Sequence, residues 1–423
     1  MARIQAGTKL PGPPAAGTPG QGPGSADTPS VVYLDYNATA PLHPAARAPM
    51  LAALEALPGN PSSPHRFGQA ARDALETSRA RLAALLGASR REVLFTSGGT
   101  EGNNFLLHWL AAAERPAHLI TSPIEHPSVL RSAEWLAAHG VRVDTLPVQA
   151  DGLVRVEAVE ALLRPETRLV SLMAVNNETG AIQPVAELVR RVRAWERAHV
   201  APGAAARPPV IVHSDAVQAF GRIPLDVRAW GVDALTVTAH KLGGPKGVGA
   251  VFLREGVPVP ALLLGGRQER DRRAGTESVA LVAGFLGAAE WVLGEFDALQ
   301  ERLAGLRDGL IERLADEPGF FLNAAAAPRV ANTANLGFAG VPAQSLLVAL
   351  DLQGVAVSTG SACSSGAIEP SHVLRAMGVA PERLTSSLRI SLGHASTPAD
   401  VERCAEVLRT EARRLRGGRR AAS

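Results

Sequence analysis

Segments with strand-like and helix-like patterns alternate through the middle of this chain of 423 residues. Short runs rich in apolar and β-branched residues predict strands, whereas longer segments with apolar residues three or four positions apart predict helices. The predicted strands are 91–96, 118–121, 141–146, 169–175, 210–213 and 235–238, and the predicted helices between them are 101–113, 128–138 and 184–199. This alternation predicts an α/β fold with a mainly parallel sheet covered by helices on both faces.

Polar side chains cluster where several of these strands end. The clusters are Glu125-His126, Asn176-Asn177-Glu178, Ser214-Asp215 with Gln218, and His240-Lys241. Ligands of open α/β sheets bind outside the carboxyl ends of the strands. The sequence therefore predicts a ligand site at this edge of the sheet.

Lysine is scarce in the chain, which makes Lys241 informative. Of the 43 Lys and Arg residues, only Lys9, Lys241 and Lys246 are lysines. Arginine keeps its proton, whereas a partly buried lysine can lose it and form a Schiff base with a carbonyl. An isolated lysine at a strand end is more often a simple turn residue, but the neighbouring motifs favour a position that requires an amine.

The motif Ser97-Gly-Gly-Thr100 lies between a predicted strand and a predicted helix. Such a turn directs backbone N–H groups and the positive end of the helix dipole at one point, which suits a phosphate. Together with Lys241 for an aldehyde and Asp215 for a protonated pyridine nitrogen, it predicts a site for pyridoxal 5'-phosphate. His126 is a candidate for stacking on the cofactor ring.

Composition excludes several other classes of protein. A hydrophobic content of 46% with 20% charged residues is typical of a globular protein, and a formal net charge of +3 gives no case for nucleic acid. The longest apolar stretch, 279–289, is shorter than the roughly 20 residues that span a bilayer. Because this stretch is short, we expect no membrane partner. Two cysteines do not form a disulfide framework, so we expect a cytoplasmic protein.

Eight motifs, in order between about residues 31 and 415, resemble the cysteine desulfurase family of class-V aminotransferase-like, fold-type I pyridoxal phosphate enzymes. They are Tyr33-Leu-Asp-Tyr-Asn-Ala-Thr39, Thr96-Ser-Gly-Gly-Thr-Glu101, Glu125-His126, Val175-Asn-Asn-Glu-Thr-Gly180, Ala239-His-Lys-Leu-Gly-Gly-Pro-Lys-Gly247, Arg273-Ala-Gly-Thr276, Ser358-Thr-Gly-Ser-Ala-Cys363 and Ser387-Leu-Arg-Ile-Ser-Leu-Gly393. Any one of these motifs is weak evidence, whereas the ordered set is specific.

The resemblance implies a homodimer with active sites at the subunit interface, and it implies roles for matching residues. The catalytic residues would be Lys241 as the Schiff-base lysine, Cys363 and His126. The cofactor-binding residues would be Gly99, Thr100, His126, Asn177, Asp215, Gln218, Thr238, His240 and Lys241, with Thr276 reaching over from the neighbouring subunit. Arg389 would bind the substrate carboxylate, Asn37 is a weaker candidate for the same group, and no metal is expected.

The two cysteines lie in different settings. Cys363 lies in a loop of small residues without apolar spacing, so we expect an accessible thiol that acts as the nucleophile. A surface cysteine without a role is the less favoured alternative. Cys404 shares the apolar face of a predicted helix with Val401, Ala405 and Leu408, which predicts a core residue.

The resemblance implies removal of sulfur from L-cysteine, giving L-alanine and a persulfide on Cys363. The persulfide would pass to an acceptor protein for iron–sulfur cluster assembly or thiolation. A selenocysteine lyase and a same-fold aminotransferase are the alternatives, and the aminotransferase would have no use for Cys363. A noncatalytic scaffold for sulfur transfer is disfavoured because Lys241, Asp215 and Cys363 are all present.

The domain organisation follows from shifts in pattern. Residues 1–30 contain six Pro and six Gly and predict a disordered leader. We expect a large cofactor-binding domain at 43–296, and a smaller α+β domain formed by 31–42 and 297–418 that carries the cysteine loop. A long amphipathic helix at 279–316, with a break near Glu295, connects them. Residues 201–209 predict a flexible peripheral loop.

Overall fold

The computed structural model describes residues 31–113, 116–199, 209–261, 263–360 and 370–420. The leader predicted at 1–30, residues 201–208 of the predicted loop, and Cys363 lie outside these ranges.

The strands and helices of the described residues alternate along most of the chain. The strands are β1 (Val32–Tyr33), β2 (Val93–Thr96), β3 (His118–Thr121), β4 (Arg142–Thr145), β5 (Thr167–Ser171), β6 (Ile211–Asp215), β7 (Ala234–Thr238), β8 (Gly249–Leu253), β9 (Phe320–Leu322), β10 (Thr333–Phe338), β11 (Val355–Ala356) and β12 (Ser387–Ser391). The helices are α1 (Pro44–Ala56), α2 (Arg66–Leu85), α3 (Gly99–His108), α4 (Pro127–Ala138), α5 (Val159–Leu162), α6 (Val185–His199), α7 (Val227–Trp230), α8 (Gln268–Asp271), α9 (Val279–Gly294), α10 (Phe296–Leu314), α11 (Ala343–Leu352), α12 (His372–Ala376), α13 (Pro381–Leu384) and α14 (Pro398–Arg420).

A seven-stranded sheet in the order β2-β8-β7-β6-β5-β3-β4 forms the centre of the fold. The five strands from β7 to β4 are parallel, which confirms the mainly parallel sheet predicted from the alternating pattern. Strand β8 is antiparallel to both β2 and β7. Every residue of β5 to β8 except Arg168 is buried, as expected for a sheet covered on both faces.

Strand β8 passes close to the glycine turn that precedes α3. A Cβ atom at Gly249 would lie 2.8 Å from the carbonyl oxygen of Val237 and 2.9 Å from the Cα of Gly98. Only glycine permits this approach. The turn Ser97-Gly-Gly-Thr100 is thereby packed close to the end of β7.

Two smaller sheets involve the N-terminal segment and the last quarter of the chain. Strand β1 pairs in parallel with β11, and β10 lies between β12 and β9 in an antiparallel sheet. Single bridges join Asp35 to Ser391 and Ser358 to Arg389. Residues 32–37 therefore lie beside β11 and β12, and β12 carries Arg389.

The bend in the long predicted helix is confirmed. Helices α9 and α10 meet at Glu295 and differ in direction by 75°. Together they reach the length and hydrophobicity of a broken membrane span, but no single helix of the described residues does. Nine residues of α9 are buried in the protein.

Two predicted elements end well before their predicted bounds, and one strand of the structure was not predicted. The helix predicted at 101–113 begins at Gly99 and ends at His108, after which Trp109–Ala112 forms a 3-10 turn. The strand predicted at 169–175 ends at Ser171, because Val175 instead bridges to Ile182 and closes a turn. Strand β8 was not predicted at all, since its first residue belongs to the glycine-rich motif after Lys241.

Candidate active site

The ends of β6 and β7 bring Asp215 and Lys241 to the same edge of the central sheet. Asp215 is the last residue of β6, and Lys241 ends the 3-10 turn Ala239–Lys241 that follows β7. Strands β6 and β7 pair in parallel, with Asp215 opposite Thr236. The polar clusters predicted at the strand ends therefore share one edge.

The amine of Lys241 is held by the backbone of the N-terminal segment. Its Nζ donates to the carbonyl oxygens of Asn37 at 2.6 Å and Ala38 at 2.7 Å. Burial, followed by the charges of Arg222 and Arg389, lowers the pKa of Lys241 to about 7 against the opposing effect of Asp35 and Asp215. A neutral, nucleophilic amine is therefore accessible near neutral pH.

Asn37 contacts three other predicted site residues, Asn177, Gln218 and Lys241. Its side-chain Nδ2 donates to the Asn177 carbonyl oxygen at 3.2 Å and to Thr333 Oγ1 at 2.9 Å, and its Oδ1 accepts from Asn332 Nδ2 at 3.1 Å. Its carbonyl oxygen accepts from Gln218 Nε2 at 3.0 Å as well as from Lys241. The side chain is 2% exposed and has protein partners on both amide atoms, so its predicted contact with a substrate carboxylate stays a prediction.

A chain of hydrogen bonds joins Asp215 to His126. The Nδ2 of Asn103 donates to Asp215 Oδ2 at 2.7 Å and to Ser128 Oγ at 2.9 Å. The Ser128 hydroxyl lies 2.8 Å from Nδ1 of His126. The other Asp215 oxygen accepts from the Val217 backbone N–H at 3.0 Å. The carboxylate is thus fixed, and both of its oxygens have donors.

The position of the His126 proton follows from this geometry. His126 precedes α4, and its Nδ1 accepts from the backbone N–H of Ser128 at 3.1 Å. Since a backbone N–H only donates, Nδ1 is unprotonated and a neutral ring carries its proton on Nε2. Burial, followed by the charges of Lys241 and His372, lowers the pKa of His126 against the effect of Asp215.

A cavity of about 400 Å³ lies at the N-terminus of α3. Thr238 and His240 from the end of β7 contribute to it, and burial with the charges of Lys241, Lys246 and Arg222 lowers the pKa of His240 to about 4. The lining residues are Ala38, Thr39, Ser97, Gly98, Gly99, Thr100, Glu101, Thr238, His240, Lys246 and Gly247. A helix N-terminus, three threonine hydroxyls and a lysine suit a phosphate group.

Arg389 lies in β12 beside the same network. Its Nη2 donates to Asp35 Oδ1 at 2.7 Å and its Nη1 to the Asn177 carbonyl oxygen at 3.1 Å. Its buried Nε has no hydrogen-bond partner in the described structure. An unpaired donor on a buried guanidinium suits an anionic ligand such as a carboxylate.

Two buried carboxyl groups at this edge were not assigned roles from the sequence. Glu125 Oε1 accepts from Ser122 Oγ and from the Met173 backbone N–H, both at 2.8 Å, while its buried Oε2 lacks a partner among the described residues. Burial, with a smaller contribution from the charge of Asp215, raises the pKa of Glu125 to about 8 against the effect of its two hydrogen bonds. Burial also raises the pKa of Glu178, whose Oε2 accepts from Ser371 Oγ at 2.5 Å.

The structure brings together most of the predicted site residues, with two exceptions. Thr276 is exposed and is not among the residues that line the cavity at α3. Cys363 lies outside the described residues. Cys404 is fully buried in α14, as predicted, and burial raises the pKa of its thiol to about 12.

Sequence reasoning missed Asn103 and Arg222. Asn103 orients Asp215, and Arg222 donates to Gln218 Oε1. The signal for Asn103 is its position one turn into the helix that begins at the glycine turn. Arg222 follows Gln218 by four residues, but arginine is too common in this chain to be informative by type.

The residues at this edge fit pyridoxal phosphate. They supply an amine of lowered pKa, a fixed carboxylate for the ring nitrogen and a polar cavity at a helix N-terminus. The buried Nε of Arg389 is left for a carboxylate ligand. In the described part of the chain, His, Cys, Asp and Glu side chains form no group suited to a metal ion.

Comparison with known proteins gives consistent matches over most of the chain. Residues 32–404 match the family Aminotransferase class-V. A cysteine desulfurase IscS of Dictyoglomus turgidum is 41% identical over 391 residues, which cover 91% of this chain and 95% of that protein. An IscS-like cysteine desulfurase of Mycobacterium tuberculosis is 43% identical over 388 residues, covering 89% and 95%. A solved NifS-like protein has a TM-score of 0.83 at 34% identity, covering 91% of this chain and 100% of that one.

Proposed function

The chain belongs to the class-V aminotransferase family and is a pyridoxal phosphate-dependent cysteine desulfurase, and from this premise we propose how its residues divide the reaction. Sulfur from L-cysteine moves to the thiol of Cys363, L-alanine is released, and the sulfur then passes to an acceptor protein. The observation that carries this proposal is the network through Asn37, which links the Lys241 amine, Gln218 and the Asn177 carbonyl that Arg389 also contacts.

Asp215, Gln218 and the α3 cavity hold the cofactor. When bound, pyridoxal phosphate supplies an aldehyde for amines and a ring that accepts electrons from the substrate. The Asp215 carboxylate, fixed by Asn103, keeps a proton on the ring nitrogen. Gln218 would bind the ring hydroxyl, and His126 and Asn177 would contact the ring region. Gly99, Thr100, Thr238 and His240 bind the phosphate.

Arg389 and Lys241 act on the substrate. Arg389 binds the carboxylate of L-cysteine through its free Nε and adjacent N–H groups, with Asn37 nearby. Lys241, once neutral, takes the proton from Cα of L-cysteine, because its lowered pKa matches a general base that works near neutral pH. His126 exchanges protons through Nε2, the atom that carries the proton in the neutral ring.

The sulfur step balances without an added oxidant. The Cys363 thiolate attacks the sulfur of L-cysteine, so that an S–S bond forms and the Cβ–S bond breaks with its electron pair left on the carbon side. The carbon is reduced and takes a proton, giving L-alanine. The transferred sulfur is oxidised and remains on Cys363 as a persulfide.

Release of alanine and sulfide from L-cysteine with a reductant tests this proposal. We expect Cys363→Ala to keep the cofactor absorption band and lose turnover by at least about a hundredfold, since no nucleophile remains. Cys404→Ala is the matched control, because Cys404 is fully buried and the variant keeps Cys363. Mass spectrometry then locates the persulfide. Turnover by Cys363→Ala at the wild-type rate would contradict the assignment.

The same preparation separates the alternative activities. A selenocysteine lyase would consume selenocysteine and leave L-cysteine nearly untouched. An aminotransferase would need a keto acid as amino acceptor and would be indifferent to Cys363→Ala. A noncatalytic scaffold would consume neither substrate.

The proposal extends to partners and organisation. The enzyme acts as a homodimer in the cytoplasm, with the acceptor an iron–sulfur scaffold or a thiolation protein. Residues 43–296 form the large domain, and 31–42 with 297–418 form the small domain. Contacts of Val32 with Val355 and of Asp35 with Ser391 support this division. Transfer of labelled sulfur from purified persulfide to candidate acceptors tests the partner.

A further inference from the structure

Arg222 occupies an unusual position for an arginine, because it lies close to a lysine that must lose its proton. It is partly buried, and its Nη1 donates to Gln218 Oε1. Among the described residues no carboxylate forms an ion pair with it, whereas Arg389 is paired with Asp35. Burial and the charge of Arg389 lower the pKa of Arg222. An arginine nevertheless stays protonated at neutral pH.

The contact fixes the orientation of the Gln218 carboxamide. A guanidinium has only donors, so the atom facing it must be the amide oxygen. At the other end, Gln218 Nε2 donates to the Asn37 carbonyl oxygen at 3.0 Å, which requires the NH₂ group there. If the amide were flipped, its NH₂ group would face the N–H groups of Arg222 and its oxygen would face the carbonyl oxygen of Asn37. Arg222 therefore holds the NH₂ group of Gln218 toward the Asn37 and Lys241 side.

The Arg222 charge also acts on Lys241 through a short path. Lys241 Nζ and Gln218 Nε2 share one acceptor, the carbonyl oxygen of Asn37. Of the charged groups around Lys241, Arg222 lowers its pKa most, ahead of Arg389, while Asp35 and Asp215 oppose them. His126 and His240, which also interact with Lys241, have lowered pKa values.

We propose that Arg222 is a positioning residue with two effects: it presents the NH₂ group of Gln218 to the cofactor oxygen, and its unpaired charge keeps Lys241 in the neutral form. The first effect requires the hydrogen bond, whereas the second requires only the charge. This inference rests on the proposed function for the identity of the cofactor contacts, but not on the sulfur step.

Equilibrium binding of pyridoxal phosphate to the full-length enzyme across pH separates the two effects. Holoenzyme is equilibrated with known cofactor concentrations, and the dissociation constant is read from the absorption band. In the wild type we expect affinity to fall about tenfold per pH unit below a midpoint near the Lys241 pKa of about 7. Arg222→Gln should move this midpoint upward by about one pH unit, because a nearby positive charge is lost.

Three further variants make the test specific. Arg222→Lys keeps the charge and should keep the midpoint, although the shape of the absorption band changes with the Gln218 contact. Gln218→Glu retains Arg222 but pairs its charge, so the midpoint should rise as in Arg222→Gln. Arg47→Gln removes an exposed arginine elsewhere and should leave the midpoint unchanged.

Wild-type midpoints in both Arg222→Gln and Gln218→Glu would overturn the proposal, as would an equal rise in Arg222→Lys and Arg222→Gln. If Arg222→Gln fails to fold, a wild-type midpoint in Gln218→Glu still overturns the role of the charge. L-Cysteine is absent from these measurements, so failure of the Cys363 assignment leaves their outcome intact. A loss of cysteine turnover with a normal midpoint would instead fault the proposed reaction.

Discussion

Burial sets the protonation of individual side chains at the carboxyl edge of the sheet. It is the first cause of the lowered pKa values of Lys241, about 7, and His240, about 4, and of the raised pKa of Glu125, about 8. Each shift favours the neutral form, as expected when charges leave water. Near neutral pH, this edge combines a neutral acid, a neutral imidazole and an amine that titrates.

Glu125 gives a prediction about stability and pH. The folded protein keeps the Glu125 proton up to about pH 8, whereas the unfolded chain loses it near the ordinary value of 4.5. Stability therefore falls as pH rises between these values. Glu125→Gln imitates the protonated form and cannot titrate. We expect its free energy of unfolding, relative to the wild type, to increase by on the order of a few kcal/mol between about pH 5 and pH 8.

Urea denaturation at saturating cofactor measures this difference at each pH. Glu134→Gln is the control, since Glu134 is an exposed carboxylate of α4 paired with Arg131. A constant difference for Glu125→Gln would mean that Glu125 is ionised in the folded protein.

At this scale the sequence identified residues that are rare or lie in motifs. Lys241 was found because lysine is scarce, and Asp215 because it ends a strand. The role of Asn103 depends on a hydrogen bond to Asp215 across 112 positions, which only folding brings close. Arg222 contacts a residue only four positions away, but its residue type is too common in this chain to single it out.

At the scale of the elements, Glu178 in the turn after β5 contacts the residues on both sides of segment 361–369. Glu178 Oε2 accepts from Ser371 Oγ at 2.5 Å, and Ser371 Oγ in turn accepts from the Leu374 N–H at the start of α12. On the other side, a Cβ at Gly360 would lie 3.1 Å from the same Glu178 oxygen. The positive φ of 84° at Gly360 also favours glycine.

We predict that Glu178→Ala destabilises the protein by about 1–3 kcal/mol, because the buried Ser371 hydroxyl loses its acceptor. Glu178→Gln keeps an acceptor and should lose less. A double-mutant cycle with Ser371→Ala, followed by urea denaturation, measures the coupling, which we expect to be at least about 0.5 kcal/mol. Additive losses would show that the two side chains act independently.

The order of elements was largely predictable, because hydrophobic periodicity reports which face of an element is buried. The strand at 118–121 was predicted with its observed bounds, and the break near Glu295 was also predicted. Strand β8 was missed because its pattern merges with the preceding glycines, and only pairing with β2 and β7 defines it.

At the scale of the whole molecule, the segment that carries Thr276 is hydrogen-bonded to the helix that begins at the Ser97-Gly-Gly-Thr100 turn of the same chain. Arg273 Nε and Nη2 donate to Glu101 Oε1 at 2.9 Å and Oε2 at 3.2 Å. Glu101 Oε2 also accepts from the Ser97 N–H at 3.0 Å. Thr276 itself is exposed beyond this clamp. In the proposed homodimer, Thr276 contributes to the site of the neighbouring subunit. A change at the Ser97-Gly-Gly-Thr100 turn of one subunit would therefore alter the position of Thr276 in the site of the other.

Mixed dimers test the proposed exchange of Thr276 between subunits. Lys241→Ala removes the reactive amine, and Thr276→Glu places a negative charge against the phosphate of the neighbouring site, so each pure dimer should be nearly inactive. In a mixed dimer, one site combines an intact Lys241 with an intact Thr276 from the other subunit. Random assortment from coexpression should restore about a quarter of wild-type cysteine turnover, since half of the dimers are mixed and each has one complete site. A mixture of Lys241→Ala with Lys241→Arg, which cannot complement, is the control. Turnover no higher than this control would exclude a contribution of Thr276 across the interface.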